Sequence, residues 1–242
     1  MSDSQPIFDY QAIWDSRVIL LKGFGIAMFS ATAAIILAII LGLGIALMRL
    51  SRIKAFRSFA FIYTQLFRGV PLYVLIIWVY FGLAIAADIN IPMIPAGILT
   101  LALLNSGYLS ETFRSGILAV PNGQREAGEG LGLSKRDVMR FIVLPQAFRI
   151  VIPPIGNQYV DAIKDSSILS IIGVPELMRM AQQQANVLYR PFEFYTTAGI
   201  LYFIAVIFVS KLIGIAEKRT STFVGKAGNS VEKNSAVMGV IH

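Results

Sequence analysis

One stretch of this sequence concentrates its polar chemistry: Gln158, Asp161, Lys164 and Asp165, set among apolar residues. Mid-membrane charges cost ~2.5 to 3.5 kcal/mol on insertion scales, so they face protein or water and mark functional sites by default. On a helix, steps of three and four residues put Gln158, Asp161 and Asp165 on one face. Lys164 lies beside that face, within reach of Asp161. A cavity lined in this way could hold a zwitterion. The same residues could equally form a satisfied intramembrane ion pair that fixes helix packing and touches no substrate.

Other chemistries are excluded by composition. The sequence has no Cys and a single His, His242, which removes disulfides, thiolate metal sites and His-based catalysis. No metal site and no catalytic residue is expected. A G-x-x-x-x-G-K-[ST] phosphate loop is also missing, since Gly225-Lys226 lacks both the upstream Gly and the following Ser or Thr. ATP hydrolysis by that route is therefore closed to this chain.

The elements that must position these residues are membrane spans. Of 242 residues, 56% are hydrophobic and 14% charged, and the apolar residues gather into long runs. Uncharged runs cover Phe24 to Met48, Gly69 to Ala87 and Ile89 to Ser110. A fifth span is expected from Phe194 to about Ile215. The fourth, from Ile150, is interrupted by Pro153, Pro154 and Gly156, which predicts an unwound segment of the kind tolerated only beside protein or a water-filled cavity. The fold class is thus all-α and integral to the membrane, with five transmembrane helices.

Basic residues follow spans one, three and five: Arg49, Arg52, Lys54 and Arg57, then Arg125, Lys135, Arg136, Arg140 and Arg149, then Lys218, Arg219 and Lys226. The positive-inside rule places these on the cytoplasmic side, the N-terminus outside and the C-terminus inside. The net charge of +7 thereby belongs to loops, with no free basic face for nucleic acid. Residues 1–22 read as an external N-terminal segment without a cleavable signal, 23–217 as the transmembrane domain, and 218–242 as a disordered cytoplasmic tail. Ser51 to Phe67 mixes basic and aromatic residues and predicts a helix at the inner interface.

The loop at about 120–145 is long for a connection and carries structural punctuation. Pro121-Asn122-Gly123 offers a turn and an Asn cap for a helix through Glu126 and Glu129, which Gly130 and Gly132 can end. Ser134 and Asp137 form a capping-box pattern for a second short helix that stops at Leu144-Pro145.

Glu126, Ala127, Gly132, Ile142, Leu144 and Pro145 match the Glu-Ala-Ala, Gly, Ile, Leu-Pro spacing of the ATPase-coupling loop in permeases of type I ATP-binding-cassette importers. Gly128 departs from the second Ala. Phe67 to Leu72 resembles the Arg-Gly-Thr-Pro-Leu segment of the polar amino-acid subfamily, which serves histidine, glutamine, glutamate, arginine, cystine and opine-like substrates; here Val70 replaces Thr. Ser110 to Ile117 and Lys164 to Ser167 are similar to further segments of it.

The resemblance implies a non-enzymatic transport subunit in a bacterial inner membrane. It would carry no cofactor of its own, with ATP and Mg bound by a partner ATPase dimer. It further implies a second permease, identical or related, and a periplasmic or lipid-anchored substrate-binding protein. In relatives that carry cationic amino acids an acidic residue commonly stands where this chain has Gln158, so a purely cationic substrate is disfavoured. A gradient-driven transporter with Asp161, Lys164 and Asp165 as its coupling site is the alternative that the residues alone leave open.

Overall fold

The computed structural model describes residues 8–238, with side chains through Ile215. Every regular element among them is helical. The first helix, α1, runs Tyr10–Arg49 and is capped by Asp9, whose carboxylate accepts the amides of Gln11 and Ala12. It therefore begins inside the segment 1–22 expected to precede the membrane domain. Its buried stripe is Ala27, Ala31, Ala34, Ala38 and Ala46, small residues at helical spacing that let neighbouring backbones approach closely.

α2 (Lys54–Gly69) is amphipathic and meets the following Leu72–Ala87 segment at 106°. Pro71 sits at this corner, where it denies the helix a backbone donor. The second limb consists of α3 (Leu72–Ile77), a π-helical turn over Trp78–Gly82 and α4 (Leu83–Ala87), ended by Asp88 in the left-handed region. α2 is the helix expected over Ser51 to Phe67. α5 (Met93–Leu118) follows and packs extensively along α1.

After the loop helices α6 (Asn122–Gly130) and α7 (Lys135–Asp137), helical backbone continues from Lys135 to Ile172. It includes a π-helical turn at Val138–Val143, α8 (Leu144–Asp165) and a 3-10 turn at Ser166–Ile172. Among the described residues four helices are long and apolar enough to cross a bilayer, or five if the bent α2–α4 pair is counted as one span.

Two expectations about proline fail here. The second loop helix does not stop at Pro145, and span four is not unwound at Pro153-Pro154-Gly156. Pro145 lies in the first turn of α8, directly after the π turn. The π turn just before it widens the helix, with the Leu144 amide reaching the Met139 carbonyl. Pro153 and Pro154 lie inside an unbroken α8, as neighbouring helices permit in a membrane. Gly156 is a contact residue rather than a breaker: a Cβ there would come within 2.5 Å of Ile213 Cγ2. The backbone changes character only at Ser166, where it tightens toward Gly173.

The connection before the last helix contains α9 (Leu177–Leu188), packed on α1 and on α10 (Pro191–Met238). The expected disordered tail, 218–242, falls on residues whose side chains lie outside the described part of the chain.

Glu176 caps α9 and is fully buried. Its carboxylate accepts the amides of Met178 and Arg179 and, at 2.6 Å, the Tyr202 hydroxyl. Burial raises the carboxyl above its ordinary range, opposed by those hydrogen bonds. An acid raised on folding holds its proton more tightly in the folded state, so stability falls as pH rises from the ordinary carboxylate range into the raised one. Glu176→Gln is expected to flatten that slope above the ordinary carboxylate range. Glu176→Ala, which removes a cap and orphans a buried hydroxyl, is expected to cost about 2 to 4 kcal/mol. Thermal unfolding of the detergent-solubilised protein checks both. A Gln variant with the wild-type pH slope would contradict this assignment.

Candidate functional site

The loop predicted to carry the coupling motif is built as a rigid corner. α6 starts from Pro121 at the cap position, with Asn122 as its first residue rather than its cap. Gly130 remains helical and the turn is made at Gly132, with φ +82°, a conformation that penalises any side chain. Ser134 then caps α7 as its spacing predicted: it accepts the Asp137 amide, and its hydroxyl donates to the Asp137 carboxylate at 2.6 Å.

The inner face of this corner explains the departure from the family motif. Gly128 is the buried residue of α6, and a Cβ there would meet Ile142 Cδ1 at 2.5 Å and Val138 Cγ2 at 3.0 Å. Glycine thus brings α6 close against the π turn. Ile117, Val120, Val138, Val143 and Ala147 form the core beneath, with Ile142 packed on it. Arg125 adds a polar tie by donating to the Ile117 carbonyl at 2.7 Å, in the last turn of α5. The loop is therefore fastened to α5 and α8, while Glu126, Ala127, Gly132, Leu144 and Pro145 stay exposed.

On α8 the polar residues divide. Gln158 turns inward and its amide donates to Asn105 Oδ1 on α5 at 2.8 Å, with Asn105 fully buried. Lys164 and Asp161 pair at 2.6 Å, yet their side chains are 54% and 51% exposed. Asp165 is intermediate in burial. Exposed residues continue along this face through Ile150, Pro154 and Asn157, so a strip that is polar at Asn157, Asp161 and Lys164 lies on a surface that the described residues leave uncovered. Gln158 and Asp165 form its margin.

Asn105 and Ser106 act as helix-to-helix partners, as intramembrane polar groups often do. Ser106 meets Tyr63 on α2 at 2.7 Å, whereas Asn157 is exposed. The sequence reading missed the network of Arg49, Glu111 and Arg114, in which Arg49 lies 3.7 Å from Glu111 and Arg114 pairs closely with it. The three-residue step from Glu111 to Arg114 was a legible signal; the approach of Arg49 from α1 had none.

A family model described as the inner membrane component of binding-protein-dependent transport systems matches residues 34–221. The chain belongs to that family. This inner membrane component is 30% identical over 213 residues to the glutamine transport system permease protein GlnP of Escherichia coli K12, covering 88% of this chain and 97% of the relative. It is 32% identical over 219 residues to the arginine transport system permease protein ArtQ of Bacillus subtilis 168, covering 90% and 94%.

Among solved structures, an amino acid ABC transporter crystallised with histidines superimposes with a TM-score of 0.84 at 34% identity, covering 88% of this chain and all of that one (100%). The MetNI methionine ABC transporter shares the fold, with a TM-score of 0.73 at 17% identity over 88% of this chain and 99% of that one. The permease is therefore a multi-pass membrane transport subunit, and its relatives are permeases rather than ATPases.

Proposed function

We propose that this permease forms half of the translocation pathway of an ATP-driven importer for polar amino acids or close derivatives, and that the Glu126 to Pro145 loop docks a separate ATPase. The supporting observation is the loop's two-sidedness. Its Gly128 face is packed onto the ends of α5 and α8, while Glu126 and Ala127 are exposed. The Glu126 side chain makes no hydrogen bond or ion pair among the described residues. A connection transmits motion only if it is stiff and anchored at both ends, and this one is.

In this reading the N-terminus lies outside and the C-terminus inside a bacterial inner membrane, so that the basic loops face the ATPase. ATP and Mg belong to the ATPase dimer. A second permease, identical or related, covers the exposed strip of α8, because a half-exposed ion pair facing lipid would be costly. Gln158, Asp161, Lys164 and Asp165 then line the pathway between the two copies, and a periplasmic or lipid-anchored binding protein delivers substrate. The neutral Gln158–Asn105 pair favours a polar uncharged side chain over a cationic one, in keeping with the glutamine permeases among the relatives.

Co-expression with a neighbouring ATPase gene product, followed by pull-down on a tag carried by this chain, tests the reading. Copurified ATP hydrolysis that rises when binding protein and substrate are added is the expected result. Absence of a copurifying ATPase would overturn it.

A further inference from the structure

We propose that the cleft between the end of α1, the first half of α2 and α5 is a binding site for the phosphodiester headgroup of an anionic phospholipid. The cleft has a volume of about 560 Å³ and is lined by Arg49, Arg57 and Arg114 together with Ser58, Phe61 and Ile62. Three guanidinium groups converge there against one carboxylate, Glu111, which is already engaged by Arg49 and Arg114. Arg57 has no acidic partner among the described residues. The surplus of positive charge is matched to an anion, and guanidinium forks suit phosphate oxygens.

Depth and lining select a lipid over a soluble anion. Arg49 directly follows the uncharged run of span one, which ends at Met48, and Glu111 directly follows that of span three, which ends at Ser110. Both spans thus place the cleft at the level where hydrocarbon gives way to headgroups. Phe61 and Ile62 are exposed at its wall, and α2 carries basic and apolar residues in the amphipathic arrangement of interfacial helices. Basic pockets between membrane helices hold anionic headgroups in this way. The proposed orientation decides only that the leaflet is the inner one; headgroup binding in detergent does not depend on it.

Native mass spectrometry of the protein purified from membranes with its retained partners tests the site, by titration with phosphatidylglycerol and with phosphatidylcholine. Wild type should prefer phosphatidylglycerol, and Arg57→Gln should weaken that binding roughly five-fold. Arg57→Gln with Arg114→Gln should abolish the preference, and Lys211→Gln, an exposed cation on α10 that does not line the cleft, should leave it intact. Arg57→Gln alone keeps the test valid if the double variant fails to fold. Equal binding of the two lipids, or an Arg57→Gln variant that binds phosphatidylglycerol as wild type does, overturns the site. Glycerol phosphate binding as tightly as the lipid overturns the lipid assignment in favour of a free phosphate ester.

Discussion

Glu126→Lys is expected to reduce substrate uptake at least ten-fold while the permease remains in the membrane at its normal level. Glu126 is exposed and its side chain makes no polar contact among the described residues. Reversing its charge therefore costs the isolated subunit little, within about 0.5 kcal/mol for an ordinary surface position. In a desolvated interface the same reversal costs about 2 kcal/mol or more, roughly thirty-fold in occupancy. The large effect is thus reserved for the case in which α6 is docked. ATPase retained by the tagged permease should fall along with uptake, and Glu126→Gln should fall less than Glu126→Lys. Wild-type uptake in Glu126→Lys would make Glu126 a solvated helix charge and return the loop to a mere connection.

How far such residues could be read in advance depended on whether their interactions are local. The spans were legible because a bilayer demands long uncharged runs: α1 and α10 contain the runs expected of them, and α5 takes up its run from Met93 onward. The Ser134–Asp137 cap was legible because it closes within three residues. The prolines misled because their local cost was taken as decisive. At Pro153 and Pro154 the packing of α8 against α5 and α10 holds the helix through them, as tertiary contacts commonly override propensity.

Long-range polar links were the least legible. Nothing near Glu176 announces Tyr202, and nothing near Ser106 announces Tyr63, because each pair is made by helices that only the fold brings together. Gly128 illustrates the same limit. Its departure from the family motif is plain in the sequence, whereas its close packing against Ile142 is made only by the fold.

The second large effect is expected on α8. Exchanging the pair, Asp161→Lys with Lys164→Asp, keeps opposite charges three residues apart and so keeps whatever packing the ion pair supports. If the pair is only structural, the exchange restores both assembly and uptake. If the strip lines the pathway, the exchange reverses the field met by a zwitterion's ammonium and carboxylate. Assembly then survives and uptake falls at least ten-fold, about 1.4 kcal/mol or more in the transport barrier. The second outcome is the expected one. The pair is half-exposed and is made within α8, so it ties no two helices of this chain together. Asp165→Asn, at the margin of the same strip, should behave likewise, with uptake lowered and the complex intact. Uptake by reconstituted vesicles, normalised to the amount of assembled complex, separates the two, and full uptake in the exchanged protein would assign Asp161 and Lys164 to helix packing.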